Sequence, residues 1–255
     1  MQAVPVFKFW QFGTGVRYLQ DARAGHRIHG TSHVLQNIAH LLRQLEELSL
    51  RVSARAADNL RELEAQLQAT PNDAKLTESQ ATKLRECITQ LRLTLRAELQ
   101  GINAYTLSPK RIDVEKLTND IPALLAPGVF AALTDVAQFD LTEAGKCIAF
   151  ERPTAGAFHL LRATEEVLRR YYCYFVRRNR VDPLLWFPMV QALTQHRLAK
   201  RNEALNRNLD NIRLSFRNPT QHPDKIYDIQ EVQDLFGLCV DVINRMQRGL
   251  QGSSR

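Results

Sequence analysis

Between Ile38 and Ile102 the apolar residues return every three or four positions, and that spacing confines the stretch to helices. Ile38, Leu42, Leu45, Leu48, Val52, Ala56, Leu60, Leu63 and Leu67 lie along one helical stripe, and Leu84, Ile88, Leu91, Leu95, Leu99 and Ile102 along a second. Between them, Thr70-Pro71-Asn72-Asp73 has the chemistry of a turn. Thr31 or Ser32, after Gly30, offers an N-cap. The spacing predicts an antiparallel, coiled-coil-like hairpin of two long amphipathic helices over residues 28–107. Its apolar stripe is narrow, so the hairpin is expected to pack on a partner chain or on the second half of the sequence.

The flanking regions read differently. Residues 1–27 open with the aromatic-rich Val4-Pro-Val-Phe-Lys-Phe-Trp-Gln-Phe12 and read as a short extended N-terminal arm. Residues 108–142, punctuated by Pro109, Pro122 and Pro127-Gly128, read as a connector with one or two short helices. Residues 143–250 read as a four- or five-helix bundle, followed by a tail at 251–255. Within it, Glu143 to Phe150 forms a short helix, and Pro153 suits the first turn of the next, which ends near Asn179. A helix carrying Leu205, Leu209, Ile212 and Phe216 is expected to stop near Arg217, because Pro219 disfavours helical backbone at Asn218. Asp228-Ile-Gln-Glu231 has capping-box spacing and opens a last helix. The chain is therefore expected to be all-α.

Charge adds a location. The 255 residues carry a net charge of +7. Residues 152–217 hold thirteen Lys/Arg against five Asp/Glu, a surplus of eight that accounts for the whole excess. Such a footprint suits nucleic acid or another polyanion, although long Arg side chains also serve as solvated helix cover. No apolar run approaches the roughly 18 residues that span a membrane, so no membrane association is expected. Cys87, Cys147, Cys173 and Cys239 form no C-x-x-C pair, which argues against a disulfide framework or zinc site. With no signal-peptide pattern at Met1–Trp10, the expected compartment is cytoplasmic. His26, His29, His33 and His40 cluster without a Cys or an H-E-x-x-H carboxylate, so they read as helix-surface residues, and no metal or cofactor is expected. No phosphate-binding glycine loop, G-x-S-x-G or kinase motif is present.

The densest chemistry lies in Phe216-Arg217-Asn218-Pro219-Thr220-Gln221-His222-Pro223. Arg217 brings a planar fork of donors suited to phosphate, and His222 can move a proton near neutral pH. Asn218 can orient either one. Together they supply what metal-free phosphodiester cleavage needs: a proton-transfer group and a cation for the phosphate charge that builds in the transition state. The competing reading is a helix C-terminus, with Asn218 as cap and Pro219 as stop. Glu165, on the first long helix of the bundle, could hydrogen-bond Arg217 or His222, or equally be an ordinary helix-surface or partly buried Glu. Arg213 lies one helical turn before Arg217 and could add a phosphate contact, with Arg162 as a further basic residue.

Arg217-Asn-Pro-Thr-Gln-His222, in the C-terminal part of an α-bundle, resembles the R-x4-6-H motif of the HEPN superfamily. Glu143-Ala-Gly-Lys-Cys-Ile-Ala-Phe-Glu-Arg152, and then Thr154 to Arg169 with Phe158-His159-Leu160-Leu161-Arg162, look like the first conserved helices of one bacterial branch. Asp224-Lys-Ile-Tyr227 is similar to the segment after the motif. The resemblance covers roughly residues 105–250 and leaves the hairpin outside it.

The resemblance implies a HEPN-like helical bundle that dimerises with two motifs facing one cleft. It implies a metal-independent endoribonuclease acting as a toxin or antiphage-defence effector, with an antitoxin or defence-system protein as partner. Arg217, His222 and Asn218 would be its catalytic residues, with Glu165, Arg213 and Arg162 in support. The alternative is a HEPN-type module that binds RNA or protein without catalysis. Two motifs lining a dimer cleft with His222 near its mate would favour the enzyme; an Arg217 buried in a salt bridge with His222 pointing to solvent away from any cleft would favour the module.

Overall fold

The computed structural model describes residues 4–178, 180–196, 202–222 and 224–252. Among them the chain is helical throughout; the only β pairing is an isolated antiparallel bridge between Arg27 and Lys75. It divides into two compact units, Met1–Tyr105 and Thr106–Arg255.

In the first unit the aromatic arm is helical. Helix α1 spans Val6–Gln20 and buries Phe12, Val16 and Leu19, a four-then-three spacing that faces the unit's core. The expectation of an extended arm is thereby corrected. The first long helix is also broken, into α2 (Val34–Glu47), α3 (Arg51–Arg55) and α4 (Asp58–Gln68). Ser49 takes a left-handed backbone (φ 55°), and the Glu98 carboxylate accepts the amides of Val52 (3.0 Å) and Ser53 (2.8 Å). A carboxylate over a helix start satisfies two otherwise orphaned donors, so the restart is stabilised from outside the run. Val52, assigned by spacing to the apolar stripe, is exposed.

Helix α5 (Glu78–Leu99) begins at a complete capping box between Thr77 and Gln80. The backbone amides of Gly25 and Ile28 donate to the carbonyls of Leu76 and Ala74, and Leu76 donates back to His26, fastening the linker after α1 to the one before α5. Helices α1, α2, α4 and α5 thus share one core, which includes Leu19, Ile38, Leu45, Leu63, Leu84 and Ile88. The hairpin is completed by α1 within its own unit.

The second unit begins well before Glu143. Helix α6 (Val114–Asn119), capped by Asp113, and the segment after it, with two 3₁₀ turns (Ile121–Leu124, Phe130–Ala132), contribute Leu117, Ile121, Leu125 and Val129 to its core. Residues 108–142 are thus structural members of this unit. Helix α7 spans Asp135–Ala149 from a Thr134 N-cap, a start eight residues earlier than expected. Helix α8 (Pro153–Phe175) begins with Pro153 in its first turn, and its end is closed by Arg180, whose guanidinium donates to the carbonyls of Cys173 and Val176. The end expected at Asn179 falls outside the described residues.

Helices α9 (Trp186–Gln195), α10 (Glu203–Ile212) and α12 (Ile229–Gly252) complete the bundle. The buried Trp186 indole donates to the Leu209 carbonyl (3.0 Å) and ties α9 to α10. Of the tail, 253–255 lie outside the described residues.

Gly145 marks where α7 meets the segment before it. A methyl group there would overlap the Leu117 carbonyl oxygen and the Ile121 side chain, whereas one at Gly237 on α12 would meet nothing within 4 Å. Gly145→Ala is expected to destabilise the second unit by about 1–3 kcal/mol through overpacking. Gly237→Ala should be neutral or stabilising by up to about 1 kcal/mol. Thermal unfolding of the two variants measures the contrast.

Candidate functional site

The helix carrying the motif continues past Arg217. After α10 the backbone widens into a π-turn at Arg213–Arg217, in which the Asn218 amide donates to the Arg213 carbonyl five residues back, and then resumes as the short helix α11 (Asn218–Thr220). Asn218 is itself helical (φ −65°, ψ −50°). The stop expected from Pro219 is corrected for a physical reason. A proline ring clashes with the carbonyl one α-turn earlier, and a widened turn just ahead of it relieves that clash without ending the helix. Asn218 is accordingly a helix-interior residue and not a C-cap.

The loop that follows is pinned from beneath. Tyr227 is buried, and its hydroxyl lies 2.9 Å from the Phe216 carbonyl and 2.7 Å from the Thr220 hydroxyl, which itself donates to Phe216 (2.6 Å). The Tyr227 amide donates to Thr154 Oγ1 on α8 (3.1 Å). Lys225 lies 4.5 Å over the Tyr227 ring and 2.7 Å from Glu231. Asp228 and Glu231 form the capping box of α12, each accepting the other's backbone amide. Residues 224–228 are thus tied to α8, to α12 and to the motif helix. Pro223 lies outside the described residues.

Arg217 comes off the last position of the π-turn and is 21 % exposed. It donates to Gln221 Oε1 (3.0 Å), and its Nη2 lies 3.8 Å from Glu165 Oε2. Glu165 is held more closely by Arg169 (2.8 Å) through its other oxygen. Glu165 therefore reaches Arg217, at ion-pair rather than hydrogen-bond distance, and does not reach His222. His222 is exposed; its backbone is fixed by Pro219 O (2.9 Å), and its imidazole has no hydrogen-bond partner among the described residues.

Arg213 does not join this group. It donates to Asp210 (2.8 Å) and its guanidinium sits 4.6 Å over the Phe187 ring. The expected shared face with Arg217 is replaced by two different sets of partners, because the π-turn between them breaks the helical register. Arg162 is directed elsewhere as well. Its Nε lies 3.3 Å from Oδ2 of Asp140, whose Oδ1 is 2.8 Å from His159 Nδ1.

Two features escaped the sequence. Asp140 is completely buried on α7, yet it fell inside a presumed connector, so its place among core positions Ala137, Leu141 and Ala144 could not register. Tyr227, in the segment after the motif, is the second. A signal was available in its position three residues after Asp224 and immediately before the capping box, where a large side chain can close over a helix end.

Among the described residues no group of three or more His, Cys, Asp or Glu is placed to hold a metal, and no helix is long and apolar enough to cross a membrane. His29 is bonded to Thr70 (3.0 Å) and His40 to Arg43 (2.7 Å). The described cysteines are free; complete burial pushes the Cys239 thiol up to about 12, removing it as a nucleophile. No family model, no curated protein and no solved structure matches the chain.

Two outcomes follow. Tyr227→Phe removes a hydroxyl shared by Phe216 and Thr220 and should cost about 1 kcal/mol in denaturant unfolding. The Glu231 carboxyl is held below its ordinary value, first by the Lys225 hydrogen bond and then by the Asp228 amide. A carboxylate depressed by folding stabilises the native state above its unfolded value, and that contribution is lost as pH falls through the lower folded value. Acidification through and below the ordinary carboxylate range should therefore loosen the start of α12. Proton NMR of the Asp228 amide should show it moving with a midpoint below that range; a midpoint at or above it contradicts the assignment.

Proposed function

We propose that the chain is a metal-independent endoribonuclease of the HEPN type, acting as a dimer in a toxin or antiphage-defence role. The observation that carries the reading is that Arg217 and His222 stand at the two ends of one short hydrogen-bonded helical turn. Arg217 leaves a π-turn, a distortion frequent at functional sites, and His222 follows in a loop pinned by Tyr227. The long 3.8 Å approach to Glu165 supports a guanidinium that can turn to a phosphate, since a loose, partly exposed ion pair is weakly held. The His222 imidazole is exposed and has no hydrogen-bond partner among the described residues, which leaves it accessible to a substrate hydroxyl. The basic surplus at residues 152–217 falls within the second unit, which supports RNA as the partner; Arg197, Lys200 and Arg201 of that count lie outside the described residues.

In the proposed reaction His222 takes the proton of a ribose 2′-hydroxyl. The O2′–P bond forms and the P–O5′ bond breaks, while Arg217 stabilises the charge on the phosphoryl oxygens. The leaving O5′ receives a proton from the His222 of a second copy across the dimer cleft, which gives the dimer a chemical purpose. The products are a 2′,3′-cyclic phosphate and a 5′-hydroxyl. Glu165 positions Arg217; Asn218, in the helix between the two, contributes backbone geometry.

A second reading is favoured by one observation. Arg217 is bonded to Gln221 and paired with Glu165 while His222 faces solvent, an arrangement that also suits a non-catalytic module binding RNA or protein. Incubation of the purified full chain with RNA separates the two. Arg217→Ala and His222→Ala are each expected to lower the cleavage rate by at least about 100-fold, the usual scale of lost acid–base or charge stabilisation, and a chelator should leave the rate unchanged. Cleavage that survives both substitutions removes the site, and loss of cleavage with chelator removes the metal-free mechanism.

A further inference from the structure

Asp140 has a fully buried carboxylate, and a charge in that position persists only where other groups compensate it. Both of its partners reach outward from α8. His159 turns Nδ1 to Asp140 Oδ1 (2.8 Å) with its side chain 25 % exposed. Arg162 brings only Nε to ion-pair distance of Oδ2 (3.3 Å) and closes no hydrogen bond with it, with its side chain 62 % exposed. In both groups the atom facing Asp140 is the one nearer the backbone, and the outer nitrogens, His159 Nε2 and the Arg162 Nη pair, have no partner among the described residues. This is how a buried acceptor preorganises donors for a ligand outside. With Nδ1 bonded to the carboxylate, Nε2 is left outermost and donates outward when the ring carries both protons. Two exposed aromatic rings flank the pair. Phe139 meets the His159 ring edge-on at 6.3 Å between centroids, and Phe158 precedes His159 and lies one helical turn before Arg162.

We propose that His159 and Arg162, set by Asp140, hold a backbone phosphate of single-stranded RNA, with Phe158 and Phe139 offering faces on which unpaired bases stack. The proposal rests on the ribonuclease reading for the choice of RNA and adds to it a strand-holding site distinct from Arg217 and His222. A guanidinium fork beside a doubly protonated imidazolium donor matches two phosphoryl oxygens. Exposed aromatics beside basic groups are what sequence-tolerant single-strand binding requires, because every base presents a π face.

The test is fluorescence anisotropy of a labelled, short single-stranded RNA with the full chain, made in the His222→Ala background so that the strand stays whole. Measurements at several salt concentrations distinguish a phosphate contact from a merely structural residue. Arg162→Ala is expected to weaken binding about tenfold and to reduce the salt slope by about 0.7, one released counterion on a single strand. His159→Gln should weaken it severalfold, and Phe158→Ala should do so without changing the slope. Asp140→Asn perturbs a buried group, so the exposed Arg162 and Phe158 variants, checked by thermal melting, carry the decision.

Affinity and slope unchanged in Arg162→Ala and His159→Gln overturn the site, as does a duplex that binds as tightly as the single strand. Cleavage that depends on Arg217 together with affinity indifferent to Arg162 removes this site and leaves the ribonuclease. The reverse pattern removes the ribonuclease and leaves the strand site.

Discussion

The widened turn at Arg213–Arg217 is the constraint on which the motif depends. Pro219 would end or kink a regular α-helix, and the π-turn absorbs it, so the chain stays helical to Thr220. The Phe216 carbonyl takes its hydrogen bonds from the hydroxyls of Thr220 and Tyr227. Tyr227 in turn reaches α8 through Thr154. One local distortion therefore fixes where Arg217 leaves the helix, where the loop bearing His222 begins and how that loop meets the rest of the second unit. It also sends Arg213 to Asp210 and Phe187 instead of to the motif.

Glu165 sits at the junction of two electrostatic groups on α8. It holds Arg169 closely and Arg217 loosely, leaving the second guanidinium the freer. One to two turns nearer the helix start, Asp140 does the opposite with His159 and Arg162: its carboxylate is deeply buried and its partners face out. The face of α8 that the sequence describes only as basic is thus divided into differently anchored cations. A charge total cannot show this, because burial of the counter-charge decides which cations are available to a ligand.

The helical class was legible because periodicity is a local property, and the capping boxes at Thr77 and Asp228 were legible or latent for the same reason. The breaks were not. Ser49 interrupts an unbroken apolar spacing because Glu98, nearly fifty residues away, caps the helix restarting after it. The aromatic arm folded into helix α1 because its Phe12, Val16 and Leu19 find a core supplied by distant helices. Proline-based rules marked a stop at Arg217 and a connector before Glu143; tertiary packing supplied a π-turn in one case and a set of short core-forming helices in the other. Of the candidate site, Arg217, His222 and Glu165 could be named from residue type and spacing, but the loose 3.8 Å approach of Glu165 to Arg217 could not. The Asp140 partnership was not, since it joins two helices through a single buried side chain.

The proposed reaction is cleavage of a phosphodiester by Arg217 and His222 through the 2′-hydroxyl, without a metal. The most direct measurement is the chemistry of the RNA ends released by the full chain in the presence of chelator. The proposed mechanism predicts 2′,3′-cyclic phosphate and 5′-hydroxyl termini, absent when His222 is replaced by alanine. Ends bearing a 5′-phosphate and a 3′-hydroxyl, or cyclic phosphate ends that persist without His222, would contradict it.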